Sequence, residues 1–239
     1  RSVFVVGEIA IARVLLTSSG LLLRSYSIMS AGSLGFEPEH VTTAFYSLPR
    51  AQYTDQAQVD SFNQGLMQRL ERLPGTEDAG LSTAIPTSDM AALFTFLPEG
   101  YTAADGVPTP SADAMQVVGN YFRAMGMTLL EGRYFTDADN PQGEPVTIVN
   151  HELASRYWPG DNPLGKRLRL GTSGMKTPWL KVVGEVSDAK DSSPDRIAQA
   201  QFYVPGGQGE EEIGSFATPG DVNGNNLYIA VRSQLSGTQ

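Results

Sequence analysis

The chain has 239 residues, with 26 acidic and 17 basic side chains and a formal net charge of −9. It carries no basic stripe, which disfavours nucleic-acid binding, since phosphate neutralisation needs clustered Lys and Arg. Cys is absent and His occurs only at His40 and His151, which excludes disulfides, thiolate metal sites, cysteine nucleophiles and a multi-histidine zinc site.

The first feature in chain order is the apolar run at residues 3–23, VFVVGEIAIARVLLTSSGLLL. As a helix it spans about 30 Å, the hydrocarbon thickness of a bilayer. Glu8 and Arg13 interrupt it, and charges near a bilayer centre are costly. They make sense if that side of the helix faces protein, and Gly7, Gly20, Ala10 and Ala12 permit close approach of another helix. The alternative is a buried or amphipathic helix of a soluble protein. A signal peptide fits less well, because no small-residue cleavage site is clear. The first residue is not Met, which points to a fragment.

Beyond residue 30 the chain reads as water-soluble and rich in turns, with 25 Gly and 15 Pro overall. Residues 41–48 are β-branched and aromatic, as in a strand. Asp55 followed by Gln58 is a capping-box pattern. Val59, Phe62, Leu66, Leu70 and Leu73 then recur at helical spacing. Pro74 and Gly75 end that helix, and 77–85 reads as a second strand. LFTFL (93–97) and AMQVV (114–118) are separated by Gly and Pro, as in hairpins with long loops. Asn120 is placed to cap a short helix over Tyr121–Met125. Asn150 is placed to cap a second, carrying Leu153, Ala154, Tyr157 and Trp158 on one face, after the strand 146–149. Leu168 and Leu170 alternate with Arg167 and Arg169. Residues 179–186 form a strand, 201–205 an outer strand, 206–225 a mobile loop, and 226–232 a last strand.

No segment carries a catalytic signature. Asp137 with Asp139, and Asp188 with Asp191 and Asp195, lack the donor spacing of a calcium loop and read as solvated loops. His151 stands near Glu152 and Tyr157 without a marked nucleophile, and reads as a surface histidine. Gly165-Lys166 lacks the remainder of a phosphate-binding loop. Trp158 and Trp179 read as core anchors. Tyr53, Tyr101 and Phe94 lie near loops where a partner could touch them. No cofactor is called for.

The ordered segments GLLLRS (20–25), LPG (73–75), GNYFRAMGMTLLEGRYF (119–135), VTIVNHELASRYWPGDNPLGKRLRL (146–170) and WLKVVGEVSD (179–188) are together informative. The series resembles the MacB-type extracytoplasmic core domain of ABC transporter permeases in the FtsX/MacB superfamily, in particular the duplicated permeases of acidobacteria. The resemblance implies an α+β fold, with an N-terminal transmembrane helix followed by a two-lobed periplasmic domain of porter-like β–α–β units and a smaller β-rich lobe. It implies a transmembrane helix over 1–30, a porter-like lobe built from 31–89 and 141–205, the β-rich lobe at 90–140, and a flexible loop with a final strand at 206–239. It gives Tyr121, Phe122, Gly126 and Gly132 structural roles in the β-rich lobe. Asn150, Tyr157, Trp158, Pro159, Gly160, Pro163 and Gly165 become the cap, anchor and turn of the second unit.

The same resemblance implies a permease, not an enzyme, in the bacterial inner membrane with residues after about 30 in the periplasm. Implied partners are a cytoplasmic ABC ATPase, the remaining permease helices, a second permease unit, a periplasmic adaptor and membrane lipid. Arg13 departs from the family pattern. The competing reading is a membrane-anchored extracytoplasmic binding or sensor domain without transport, or a tethered enzyme with a polar pocket around His151 or the 188–195 loop.

Overall fold

The computed structural model describes residues 2–31, 34–86, 88, 92–101, 108–172, 177–189, 199–208 and 224–234. Helix α1 (Ser2–Ala31) extends the apolar run at both ends. Within it, Phe4–Ser25 is long and apolar enough to cross a membrane, and none of that stretch is buried. Phe4 is 81% exposed. A core helix of a soluble protein would be covered, so the buried-helix alternative does not hold. Thr17 donates to the carbonyls of Arg13 (2.7 Å) and Val14 (3.0 Å), which satisfies its hydroxyl inside the helix.

Strand β1 (Val41–Ser47), helix α2 (Gln56–Glu71) and strand β2 (Thr76–Ser82) follow as a β–α–β unit. Asp55 caps α2, accepting from the Gln58 N–H at 2.9 Å, while the Gln58 side chain reaches one residue past the cap and accepts from the Thr54 N–H at 2.9 Å. The buried line of α2 is Val59, Asn63 and Met67. Phe62, Leu66 and Leu70 are half-buried beside it, and Leu73 lies exposed. The expected stripe is thus rotated, because Asn63 is held inward by two polar partners. The Tyr46 hydroxyl donates to it at 2.6 Å, and its amide donates to the Gly224 carbonyl at 3.1 Å.

The remaining elements are β3 (Ala92–Pro98), β4 (Ser111–Gly119), α3 (Tyr121–Ala124), β5 (Leu129–Gly132), β6 (Val146–Asn150), α4 (His151–Tyr157), β7 (Arg167–Leu170), β8 (Leu180–Val186), β9 (Gln201–Pro205) and β10 (Asn226–Ser233). β10 lies between β1 and β2, antiparallel to both, with Val41 opposite Arg232 and Leu81 opposite Ile229. The end of β4 pairs with β2, Leu81 opposite Val118. The earlier part of β4 pairs with β3 on one edge and with β9 on the other. The order β4-β3-β7-β8-β6-β9 then returns to β4 and closes a six-stranded ring, with β5 outside on β8. β6 and β8 run parallel, as a strand–helix–strand unit requires.

Hydrogen bonding therefore joins β3 and β4 to β6, β7, β8 and β9 in one barrel. The outer position expected for 201–205 is corrected. All five residues of β9 are buried, and β4 and β6 flank it. A continuous apolar strand needs cover on both faces.

Apolar side chains gather in three places. Phe96, Leu153, Trp158, Leu168 and Phe202 fill the barrel under α4. Tyr121, Phe122, Met125, Ile148 and Tyr203 lie beneath α3. Met67, Ala79, Leu81 and Leu227 sit between α2 and its sheet. Most of the expected mobile loop (209–223), together with Asp191, Asp195 and 173–176, lies outside the described residues.

Candidate functional site

The place where α1 joins the domain is built with unusual detail. Gly35 has φ 76°, and a Cβ there would fall 1.5 Å from the Asp188 carbonyl oxygen. Only glycine fits such an approach. The Ser187 hydroxyl donates to the Gly35 carbonyl at 2.9 Å. Phe36 packs against the cluster beneath α3, and the Glu37 N–H donates to the Met125 carbonyl at 3.0 Å. His40, also in the left-handed region with φ 64°, accepts from the Ser233 N–H at 3.0 Å. The linker is therefore bonded to β10, to the turn after α3 and to the end of β8.

Next to this junction lies a polar group at the start of α4. His151 Nδ1 is 2.7 Å from Glu185 Oε1, with the imidazole 59% exposed and the carboxylate 8% exposed. The Glu152 N–H donates to Asp188 at 2.7 Å. The hydrogen bond to Glu185 raises the His151 pKa, with further support from the Glu185, Asp188 and Glu152 charges. Burial raises the Asp188 carboxyl above its ordinary range. One expectation changes here: Asp188 caps a helix N–H instead of standing in solvent. His151 is the surface histidine expected, with its ring hydrogen-bonded to a buried carboxylate. Tyr157 is not its partner: that ring meets Phe96 edge-on at 5.0 Å. The group can hold a proton. Among the described residues no set of three or more His, Cys, Asp and Glu side chains is arranged to hold a metal.

A cleft of about 520 Å³ lies between α2 and the 135–141 turn, lined by Gln56, Asp60, Asn63, Gln116, Asp137 and Asn140 among others. Asp139 at its edge is buried. Arg133 holds both its oxygens, at 2.6 and 2.8 Å, and the Thr136 N–H donates at 2.8 Å. The Arg133 hydrogen bonds keep its carboxyl below the usual range. The solvated-loop reading therefore holds for exposed Asp137 and not for Asp139.

The residues singled out by the resemblance fall as follows. Tyr121 and Phe122 are buried; the Tyr121 hydroxyl donates to the Ala84 carbonyl at 3.3 Å, and Phe122 meets Tyr203 edge-on at 4.9 Å. Gly126 and Gly132 have φ 64° and 76°. Asn150 accepts from Leu153 (3.1 Å) and Gln201 (2.8 Å) and donates to Gln199 (2.8 Å), so it caps α4 and ties down β9. Trp158 is buried in the barrel, and Tyr157 packs against it. Pro159 and Gly160 make the turn that follows. Pro163 accepts from the Lys166 N–H at 3.1 Å, and the Gly165 N–H donates to Val182 at 2.9 Å.

Asn120 does not cap α3 with its side chain. Trp179 is not a core anchor: it is half-buried, under the guanidinium groups of Arg167 and Arg169. Tyr53 meets Phe62 and Tyr101 meets Tyr157, both edge-on, while Phe94 packs on the barrel. In α1, Glu8 and Arg13 are exposed. Glu185 and Arg133 carry no signal in the sequence: the first pairs with a residue 34 positions away, and the second with Asp139, which the local pattern does not set apart from Asp137.

Fold and junction define a class: an α/β domain with a barrel-like core, joined to a helix long and apolar enough to cross a membrane. Residues 39–238 match the family described as the MacB-like periplasmic core domain, and the chain belongs to that family. It is thus a domain of the MacB/FtsX-like ABC-transporter permease superfamily, with its periplasmic part beginning near residue 30. Among solved structures, the periplasmic region of MacB from Actinobacillus actinomycetemcomitans is 15% identical with a TM-score of 0.50, covering 87% of this chain and 82% of that one. This likeness supports the fold. The extracellular domain of the noncanonic ABC-type transporter YknZ from Gram-positive bacteria is 16% identical, with a TM-score of 0.47 and coverage of 82% and 85%. A domain of a permease protein from Porphyromonas gingivalis is 20% identical, with a TM-score of 0.40 and coverage of 73% and 68%. No curated protein matches the chain.

Proposed function

We propose that the chain is the periplasmic core segment of a permease that couples ATP hydrolysis by a partner ATPase in the cytoplasm to outward movement of a periplasmic substrate. The observation that carries this reading is the bonded linker. A helix that crosses the membrane continues into β1 through residues held by Ser187, Met125 and Ser233. A displacement of the helix has a route into the folded domain. In this reading Arg1 lies toward the cytoplasm and the chain beyond Arg24 lies in the periplasm. The remaining permease helices cover the two faces of α1 that carry Glu8 and Arg13, and lipid covers the rest. Two such units form a dimer, and a periplasmic adaptor docks on the domain. The parts that move are the α2 sheet and the barrel, which meet along β4. Tyr121, Phe122, Gly126, Gly132, Asn150, Trp158 and the 159–165 turn keep each part rigid.

The test is isolation of the full-length protein from its native membrane. The reading predicts that an ATPase with a phosphate-binding loop co-purifies, and that reconstituted ATP hydrolysis depends on the permease. A full-length protein that spans the membrane once and binds no ATPase overturns it. The cleft beside α2 favours a second reading, a membrane-anchored binding or sensor domain. That reading predicts ligand binding in the cleft that is independent of any nucleotide.

A further inference from the structure

Arg232 stands near the end of β10, opposite Val41 at the start of β1. Its side chain is only 13% exposed. Nη2 donates to the Glu37 carbonyl at 2.8 Å and Nη1 to the Glu39 carbonyl at 3.2 Å. Nε donates to the carbonyls of Ala124 at 3.1 Å and Arg123 at 3.3 Å. The Glu37 carboxylate lies 3.5 Å from Nη1. One guanidinium thus joins the linker from the membrane helix, the end of α3 and the strand that carries it. Its planar fork suits several acceptors at once, and the charge strengthens each bond.

Gly126 makes room for this arrangement. With φ 64°, a Cβ there would lie 2.7 Å from Arg232 Nη2 and 2.7 Å from Glu37 Cβ. The bond from the Glu37 N–H to the Met125 carbonyl ties the same pieces a second time. From α3 the contacts continue inward through Phe122 to Tyr203, a barrel residue on β9. Bonded and packed groups therefore run from the membrane linker to the barrel, and Arg232 joins that path beside the Gly35–Ser187 and Glu37–Met125 bonds.

We propose that Arg232 is the clamp that transmits displacement of the membrane helix to the periplasmic domain. It is a positioning residue: it locks the linker to β10 and α3 so that the domain follows the helix. The proposal rests on the permease reading above. Lys at this position retains the charge and lacks the fork, so it serves fewer of the four carbonyls.

The experiment is hydrogen–deuterium exchange on the full-length permease, reconstituted in liposomes with its ATPase, under ATP and under ADP. In the wild type, exchange in the barrel strands differs between the two nucleotides. In Arg232→Gln the Glu37 amide, which donates to the Met125 carbonyl, exchanges about tenfold faster because the linker has lost the neighbouring charge-assisted bonds that hold it there. The barrel amides of Ile148 and Val182 keep their protection, ATP hydrolysis continues, and the nucleotide-dependent difference in the barrel is lost. A folded Arg232→Gln protein that keeps the full nucleotide-dependent difference overturns the clamp and leaves the permease reading intact. If that variant loses barrel protection altogether, Arg232→Lys decides. A reduced difference in the folded Lys variant upholds the clamp, and an unchanged one overturns it. A wild type that turns over ATP with no nucleotide-dependent difference overturns the permease reading, and the clamp with it.

Discussion

At the scale of single residues, the charged groups that matter are those paired with distant partners. Asp139 is buried and held by Arg133 and Thr136. Asp139→Asn should lower stability by about 2 kcal/mol at pH 7, the size of a charge-assisted hydrogen-bond pair, read as a lower urea midpoint. Its folded pKa lies below the ordinary 3.8. Its contribution is therefore present above pH 3.8 and lost as pH falls through the folded value, and the variant's deficit should shrink in acid. His151 works in the opposite sense. Its folded pKa is raised above 6.5 by Glu185, so its contribution is complete below pH 6.5 and lost as pH rises through the folded value. His151→Gln should therefore differ from wild type more at pH 6 than at pH 9, and modestly, because the imidazole is largely exposed. Urea midpoints at the two pH values read this directly. Neither pair is legible in the sequence. Glu185 lies 34 residues from His151 and has the appearance of any solvent-facing residue of a strand. The Arg133 pairing is only six residues long, but nothing in the local pattern distinguishes Asp139 from exposed Asp137.

At the scale of elements, legibility depends on whether the signal is local. The Asp55 and Asn150 caps are read from adjacent residues, and both form. Asn150 does more than cap, since it also fixes the start of β9. Asn150→Ala should cost roughly 3 kcal/mol, above the usual value for a cap alone. Faster exchange at both the Leu153 and Gln201 amides would distinguish the double role from a lost cap. Strand β9 shows the limit of local signals. QFYVP is a short apolar run, and such a run does not tell an edge from a centre. Its place was fixed by the parallel pairing with β4, which joins segments almost ninety residues apart. β10 is similar: its alternation marks a strand, while its insertion between β1 and β2 depends on pairings with the beginning of the domain.

At the scale of the molecule, the membrane helix and the family were legible and the barrel was not. Length and apolarity mark α1, and the ordered series from GLLLRS to WLKVVGEVSD marks the family. The junction was invisible because its parts, Gly35, Ser187 and Arg232, are scattered along the chain and bond largely to backbone atoms. Arg13, like Glu8, works against the placement of α1 in a bilayer. Arg13→Leu should increase the fraction of helix inserted in a membrane-integration assay, by an amount corresponding to about 2–3 kcal/mol for a charge near the bilayer centre. Assembly with the ATPase should be unharmed.

The central claim is that the periplasmic domain moves with the ATPase cycle. This chain contains no Cys, so Gln68→Cys on exposed α2 and Asp161→Cys in the exposed barrel turn place two spin labels where they do not disturb the core. Pulsed electron–electron resonance on the full-length, reconstituted permease with its ATPase would give the distance between the α2 sheet and the barrel. The account predicts distance distributions that differ between the ATP and ADP states. Identical distributions in a complex that is hydrolysing ATP would contradict it.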